Sequence, residues 1–305
     1  MDNHLTGRGR LLLLSIAALL LLSACSRINL AYRNLDILIP WTLNDYLDMN
    51  SAQQSRLKAQ LREHLAWHCS SQLPIYLEGM QRLQHEIDEG QIDVETLRVQ
   101  QRNMHQAIRA IAVQITPSVT ELVGDLDDSQ VQRLQRTFEE KNQELHEKFV
   151  APDLPRQIRE RAERMQKRVE YWTGRLDAPQ RQRILQWSHA LSEQNARWLD
   201  NRKQWQTALV EVARQRHEPD FASRLERLLQ DPESFWTQTY RRTYPQTEQE
   251  TLVLISDLYA MASDEQRSHL SQRLHRLRSD LGAMTCLSDA VQEPNAAAPA
   301  ASGTV

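Results

Sequence analysis

Apolar residues recur at helical spacing along almost the whole chain, and almost no segment alternates with a period of two, so the sequence predicts a nearly all-α protein. The clearest pattern lies over residues 179–215, where Ile184, Leu191, Trp198, Trp205 and Val212 recur every seven residues and place one bulky apolar stripe on a single face. Such a stripe needs a partner helix, so the segment is expected to be one long Trp-striped helix in an antiparallel multi-helix bundle of about eight to ten helices. The tryptophans are expected in the core, because large aromatics at this spacing pack inward more often than they line a ligand groove. Punctuation places further helices at 51–70, 74–89, 93–115, 128–150, 155–172, 221–229, 248–261 and 265–281.

Four helix starts share one pattern. Met49-Asn50-Ser51-Ala52-Gln53, Leu126-Asp127-Asp128-Ser129-Gln130, Leu176-Asp177-Ala178-Pro179-Gln180 and Ala262-Ser263-Asp264-Glu265-Gln266 each put Gln three positions after a capping residue. This is the capping box: the cap side chain accepts from an orphan helical N–H while the Gln reaches back to the cap's own N–H. Leu126 is placed to form a hydrophobic staple with Val131. Uneven spacing between the copies argues against a solenoid.

The N-terminus has a different character. Arg8 and Arg10 precede an apolar run from Leu11 to Leu22 that ends at small residues, the layout of a secretory signal. The run is too short for a hydrocarbon core of roughly 30 Å. Leu22-Ser23-Ala24-Cys25 resembles the lipobox of bacterial lipoprotein precursors, which implies a signal peptide over residues 1–24, cleavage before Cys25 and acyl chains on that cysteine. More than one acyl chain gives a stable membrane anchor. Ser26 is not acidic, so the sorting rule associated with such precursors implies the outer membrane, periplasmic face.

Cys69 and Cys286 remain. In an oxidising compartment an even pair predicts one disulfide, the alternative being two separate buried thiols; neither cysteine sits in a nucleophile motif. The 305 residues carry a formal net charge of −3 and no strongly basic stretch, so nucleic acid is not an expected partner. A helical body is expected over 25–290, with the Gly124-Asp125 region a candidate subdivision. Pro294, Pro299 and a run of Ala mark 291–305 as a disordered tail.

The chain has no phosphate loop, no G-x-S-x-G and no H-E-x-x-H, and neither a cofactor nor a metal is expected. His64 and His68 share a helix face, but a metal would need further ligands such as Cys69 or His85, and a hydrogen-bonded or solvated pair is the reading preferred. Acidic and basic residues intermixed as in Arg159-Glu160-Arg161 read as a charged solvent face.

Two resemblances extend this reading. The four boxes resemble the L-T-x-x-Q signature of Spy-type periplasmic chaperones, though none has Thr at the cap. The run Tyr32-Arg33-Asn34-Leu35-Asp36, Leu38-Ile39-Pro40-Trp41, Asp45-Tyr46-Leu47-Asp48, with Leu65-Ala66-Trp67-His68 and Leu73-Pro74, resembles a family of uncharacterised lipoproteins of Gram-negative bacteria whose domain has no known function. That resemblance implies location and a helical fold, and no activity. The apolar residues Leu30, Leu35, Ile37, Leu38, Ile39 and Trp41 begin a few positions after Cys25, so the body is expected close to the bilayer and these residues either touch lipid or pack inward; with Arg33 and Asp36 among them, an amphipathic helix docked on the body is the reading preferred.

The expected function is therefore non-enzymatic binding. The chain reads as a lipid-anchored protein with the membrane as one partner and, as the other, an envelope protein that it scaffolds or an unfolded client that it holds like a chaperone. An enzyme with an unrecognised helical site is the alternative. Two or more buried ionisable groups converging on a polar pocket would favour the enzyme.

Overall fold

A computed structural model describes Tyr32, residues 34–284 and Cys286. The signal peptide expected over residues 1–24, the expected lipidation site Cys25 and the tail expected over 291–305 lie outside these described residues. The helices are α1 (Leu35–Leu47), α2 (Ser51–Trp67), α3 (Leu73–Asp88), α4 (Val94–Gly124), α5 (Asp128–Phe149), α6 (Leu154–Thr173), α7 (Ala178–Leu191), α8 (Gln194–Arg214), α9 (Phe221–Gln230), α10 (Gln238–Ala260) and α11 (Asp264–Gly282). A π-helical turn, His68–Gln72, joins α2 to α3 in one continuous rod, and a 3-10 turn, Pro232–Phe235, precedes α10. The described residues thus form an all-α bundle of ten helical rods with no strand. Elements on either side of residue 124 interleave, α3 packing on α11 and α4 on α9 and α10.

Two helices run through prolines at which sequence punctuation expects a boundary. α4 continues past Pro117, and α10 starts ten residues before Glu248 and runs through Pro245. Each proline removes the donor for a carbonyl four residues back. Both prolines face solvent, and the freed carbonyls belong to exposed Val113 and Arg241, where water can serve them.

The single Trp-striped helix expected over 179–215 is two helices. α7 ends at Leu191 and α8 begins at Gln194, with Ser192 between them at φ 47°. The stripe divides with the break. Ile184 and Leu191 join Trp187 in a core formed with α6 and α10, whereas Trp205 and Val212 enter a second core with α1, α4, α5 and α9. Trp198, at the changeover, is 38 % exposed.

The carbonyls released by this break are met by arginines. Buried Arg161 on α6 donates to the carbonyls of Ser188 (3.0 Å) and Ser192 (2.8 Å), and Arg197 donates to that of Leu191 (2.6 Å). Cations suit a helix C-terminus, where the dipole is negative. Burial lowers the Arg161 pKa to about 10, with Arg164 and Arg197 adding to the shift, so the side chain is still a cation at neutral pH. Arg161→Met removes both hydrogen bonds and is expected to cost about 2–4 kcal/mol, read as a lower urea midpoint at unchanged slope.

The four capping boxes meet in two pairs. Gln53 and Gln130 face each other as reciprocal amides, each Nε2 donating to the other's Oε1 at 3.1 and 2.9 Å. Gln180 and Gln266 do the same at 2.8 and 3.0 Å. Each Oε1 also accepts from the N–H of its own cap: Asn50, Asp127, Asp177 and Ser263. Each Nε2 also donates to the carbonyl two residues before the partner's cap: Asp125, Asp48, Met261 and Arg175. All four hydrogen-bonding positions of every amide are therefore filled. Each pair locks two helical hairpins through the same reciprocal bonds, α1/α2 to α4/α5 and α6/α7 to α10/α11. Leu126 and Val131 are both buried beside the first pair.

In the turn that joins α2 to α3, Cys69 forms a disulfide with Cys286 across a sequence separation of 217 residues. Cys69 packs with Leu73, Met284 and Tyr32. Pro74 has no N–H to continue an α-helix, and the π-helical turn just before it widens the rod at Cys69. α1 docks as an amphipathic helix through Pro40, Leu43, Tyr46 and Leu47, but leaves Ile37, Leu38 and Trp41 exposed by 58, 48 and 67 %.

Candidate functional site

Five elements line a half-open apolar cavity of about 310 Å³ beside the Gln180–Gln266 pair. α3 contributes Leu83 and Ile87; Ile92 and Leu97 follow from the α3–α4 corner. α6 contributes Met165, Val169 and Trp172, α10 contributes Ile255 and Leu258, and α11 contributes Leu270. The turn between α10 and α11 that closes one side is held by the paired amides, Gln266 being itself part of the wall. This volume lies at the lower end of the range for small-molecule sites.

The polar groups in the wall fall into two kinds. Tyr259 donates its hydroxyl to the carbonyl of Ile87 at 2.7 Å, Thr173 donates to that of Val169, and Gln266 is fully engaged. Burial raises the Tyr259 pKa, with Arg267 opposing and Asp88 adding to the rise, so the phenol stays neutral. Arg168 and Arg267 differ: among the described residues, neither is paired with a carboxylate. Arg267 lies over the Tyr259 ring, 5.1 Å from its centroid, and its Nε is buried without a hydrogen-bond partner. The surface that lines the cavity is thus almost wholly apolar: Arg168 reaches solvent and Arg267 packs over the Tyr259 ring, both beside the cavity and not inside it.

A second recess of about 360 Å³ is flanked by Trp198, Trp205, Trp236 and Tyr240. Trp236 and Tyr240 meet edge to face at 5.2 Å, and the Trp205 indole N–H donates to the Leu228 carbonyl. The Trp stripe therefore contributes mainly to the cores, with Trp198 at a groove.

His64 and His68 engage different partners. His64 Nε2 pairs with Ser118 Oγ at 2.8 Å, and His68 Nδ1 pairs with the Tyr32 hydroxyl at 3.1 Å. Burial lowers both pKa values, Glu63 opposing the shift at His64, which favours neutral rings. Cys69 is committed to its disulfide with Cys286. Among the described residues, no group of three or more His, Cys, Asp or Glu is placed to hold a metal ion. None of these residues belongs to the apolar cavity, whose wall was not foreseen because its members are spread from Leu83 to Leu270 and share no motif.

Fold and site together define an all-helical protein with a small apolar recess between helices. The chain belongs to a family of unknown function, DUF6279, whose model matches residues 45–241. The Gln53–Gln130 pair falls wholly within that match, whereas Gln266 and the α11 wall of the cavity lie beyond it. No curated protein and no solved structure matches the chain.

Proposed function

We propose that the protein is a non-catalytic binding protein of the cell envelope, held at the periplasmic face of the outer membrane by acyl chains on Cys25, and that its cavity takes a single-chain anionic amphiphile. The observation that carries this reading is the cavity itself: an almost wholly apolar recess for a chain, with the side chains of Arg168 and Arg267 beside it, neither paired with a carboxylate among the described residues, to meet an anionic head at its mouth. The non-catalytic part is supported by the engagement of Tyr259, Thr173 and Gln266 in structural hydrogen bonds. The envelope location rests on the basic-then-apolar N-terminus and Leu22-Ser23-Ala24-Cys25.

Titration of the full mature chain with a fluorescent fatty acid tests the site. Saturable binding is expected. Ile255→Trp, at the partly exposed rim, should abolish it, and Arg267→Gln should weaken an anionic probe by about tenfold, a loss near 1.4 kcal/mol, while leaving an uncharged analogue unchanged. Equal binding by all three proteins would sink the reading.

A chaperone-like holder of unfolded clients is the second reading, favoured by the groove beside exposed Trp198. It predicts that the chain slows aggregation of a denatured model protein and that Trp198→Ser removes the effect while amphiphile binding persists.

A further inference from the structure

We infer that the exposed face of α1 is a membrane-contact surface, with Ile37, Leu38 and Trp41 seated in the interfacial region of the bilayer that carries the anchor. The inference rests on the reading of Cys25 as lipid-modified. It is separate from the cavity.

Positions 37, 38 and 41 fall on one side of a helix, being related by steps of one, three and four residues. The side chains there are among the most exposed apolar groups of the described residues, while the opposite side of α1 is held in the core by Pro40, Leu43 and Leu47. α1 is thus fixed in rotation, and the trio is presented rather than left free to turn inward.

The chain's own layout names what covers it. Tyr32 is tied to the body through its hydroxyl, which donates to the Leu65 carbonyl at 2.9 Å. Cys25 lies seven residues upstream, and even a fully extended segment of that length spans no more than about 25 Å. α1 starts ten residues after Cys25 and so lies within about 36 Å of the acylated residue, and the trio occupies its first two turns. A tryptophan beside aliphatic side chains is the composition favoured at a membrane–water boundary. Arg62 on α2 adds a cation to this edge, 3.6 Å from the Asp36 carboxylate next to Ile37 and 70 % exposed, placed to meet lipid phosphates. No helix among the described residues is long and apolar enough to cross a membrane, so contact at this face is interfacial.

The test uses the full mature protein, as isolated from membranes, in vesicles of phosphatidylethanolamine and phosphatidylglycerol whose acyl chains are brominated. Bromine quenches tryptophans that touch the chains. Of the seven tryptophans, Trp41 is the one assigned to lipid, so part of the emission should be quenched in the natural protein and none in Trp41→Phe. Equal quenching in the two proteins overturns the inference. The mass of the N-terminal peptide tests the anchor separately: acyl groups on Cys25 without Trp41-dependent quenching mean that the anchor stands and the face does not. If Cys25 proves unmodified, the anchor reading fails, and the face is tested with the same chain at saturating vesicles. There, binding that is lost in Ile37→Asp supports the face, and binding indifferent to that change overturns it.

Discussion

Gln180→Leu is expected to lower stability by about 3–5 kcal/mol, far more than a helix cap alone contributes. Gln180 is 1 % exposed, and its amide serves four hydrogen bonds at once. Removing it uncaps the Asp177 N–H and strips Gln266 of one donor and one acceptor inside the protein, where each unmet group costs about 1–3 kcal/mol. The comparison is Asp153→Ala. Asp153 caps α6 by accepting from the Arg156 N–H, with no Gln at the third position, and its loss should cost only about 1 kcal/mol. Urea denaturation of the two variants settles the ranking. Gln180→Leu combined with Gln266→Leu should cost clearly less than the two separate losses added together, because the second change removes groups already orphaned by the first. Strict additivity would mean that the two boxes act alone.

The second large effect concerns the disulfide. Closing 217 residues of chain restricts the unfolded state, and the chain-entropy model assigns that closure up to about 5 kcal/mol. The Cys69→Ala, Cys286→Ala double variant should therefore lose about 2–5 kcal/mol, and reductant should shift the natural protein to a similar urea midpoint while leaving the variant where it is. A natural protein indifferent to reductant, with Cys69 and Cys286 demonstrably reduced, would show that packing of Leu73 and Met284 around Cys69 suffices at the α2–α3 junction.

What the sequence made legible was local. The capping boxes at Asn50, Asp127, Asp177 and Ser263 could be read because each involves neighbours within one turn, and all four form. Their pairing could not be read in the same way, since Gln53 meets Gln130 and Gln180 meets Gln266 only after whole helices have folded back. One signal was available: the separations within the pairs, 77 and 86 residues, are alike, although the four copies taken in order look uneven. The two missed boundaries share a cause. Pro117 and Pro245 suggested helix ends, but a proline on a solvent face leaves its carbonyl to water and need not stop the helix. The break at Ser192 was hidden for the opposite reason, as neither Gly nor Pro marks it, and the groups that stabilise it, Arg161 and Arg197, act through side chains. Cys69 and Cys286 were paired by redox chemistry and parity, which need no geometry. The cavity depends on five elements converging, and no single segment carries its signature.

Because the Cys69–Cys286 bond joins residues so far apart, most of the protein is a closed covalent ring, to which α1 and α2 are joined covalently at one point only. A protease that cuts once anywhere inside the ring opens it without releasing a piece: both sides of the nick remain joined through sulfur, and on the N-terminal side through α2. Gels run without reductant would show such a nicked molecule at full mass. A single cut within α1 or α2 would instead sever the ring covalently from everything before it, leaving the two parts joined only by packing and by the Gln53–Gln130 pair, so under denaturing conditions they would separate.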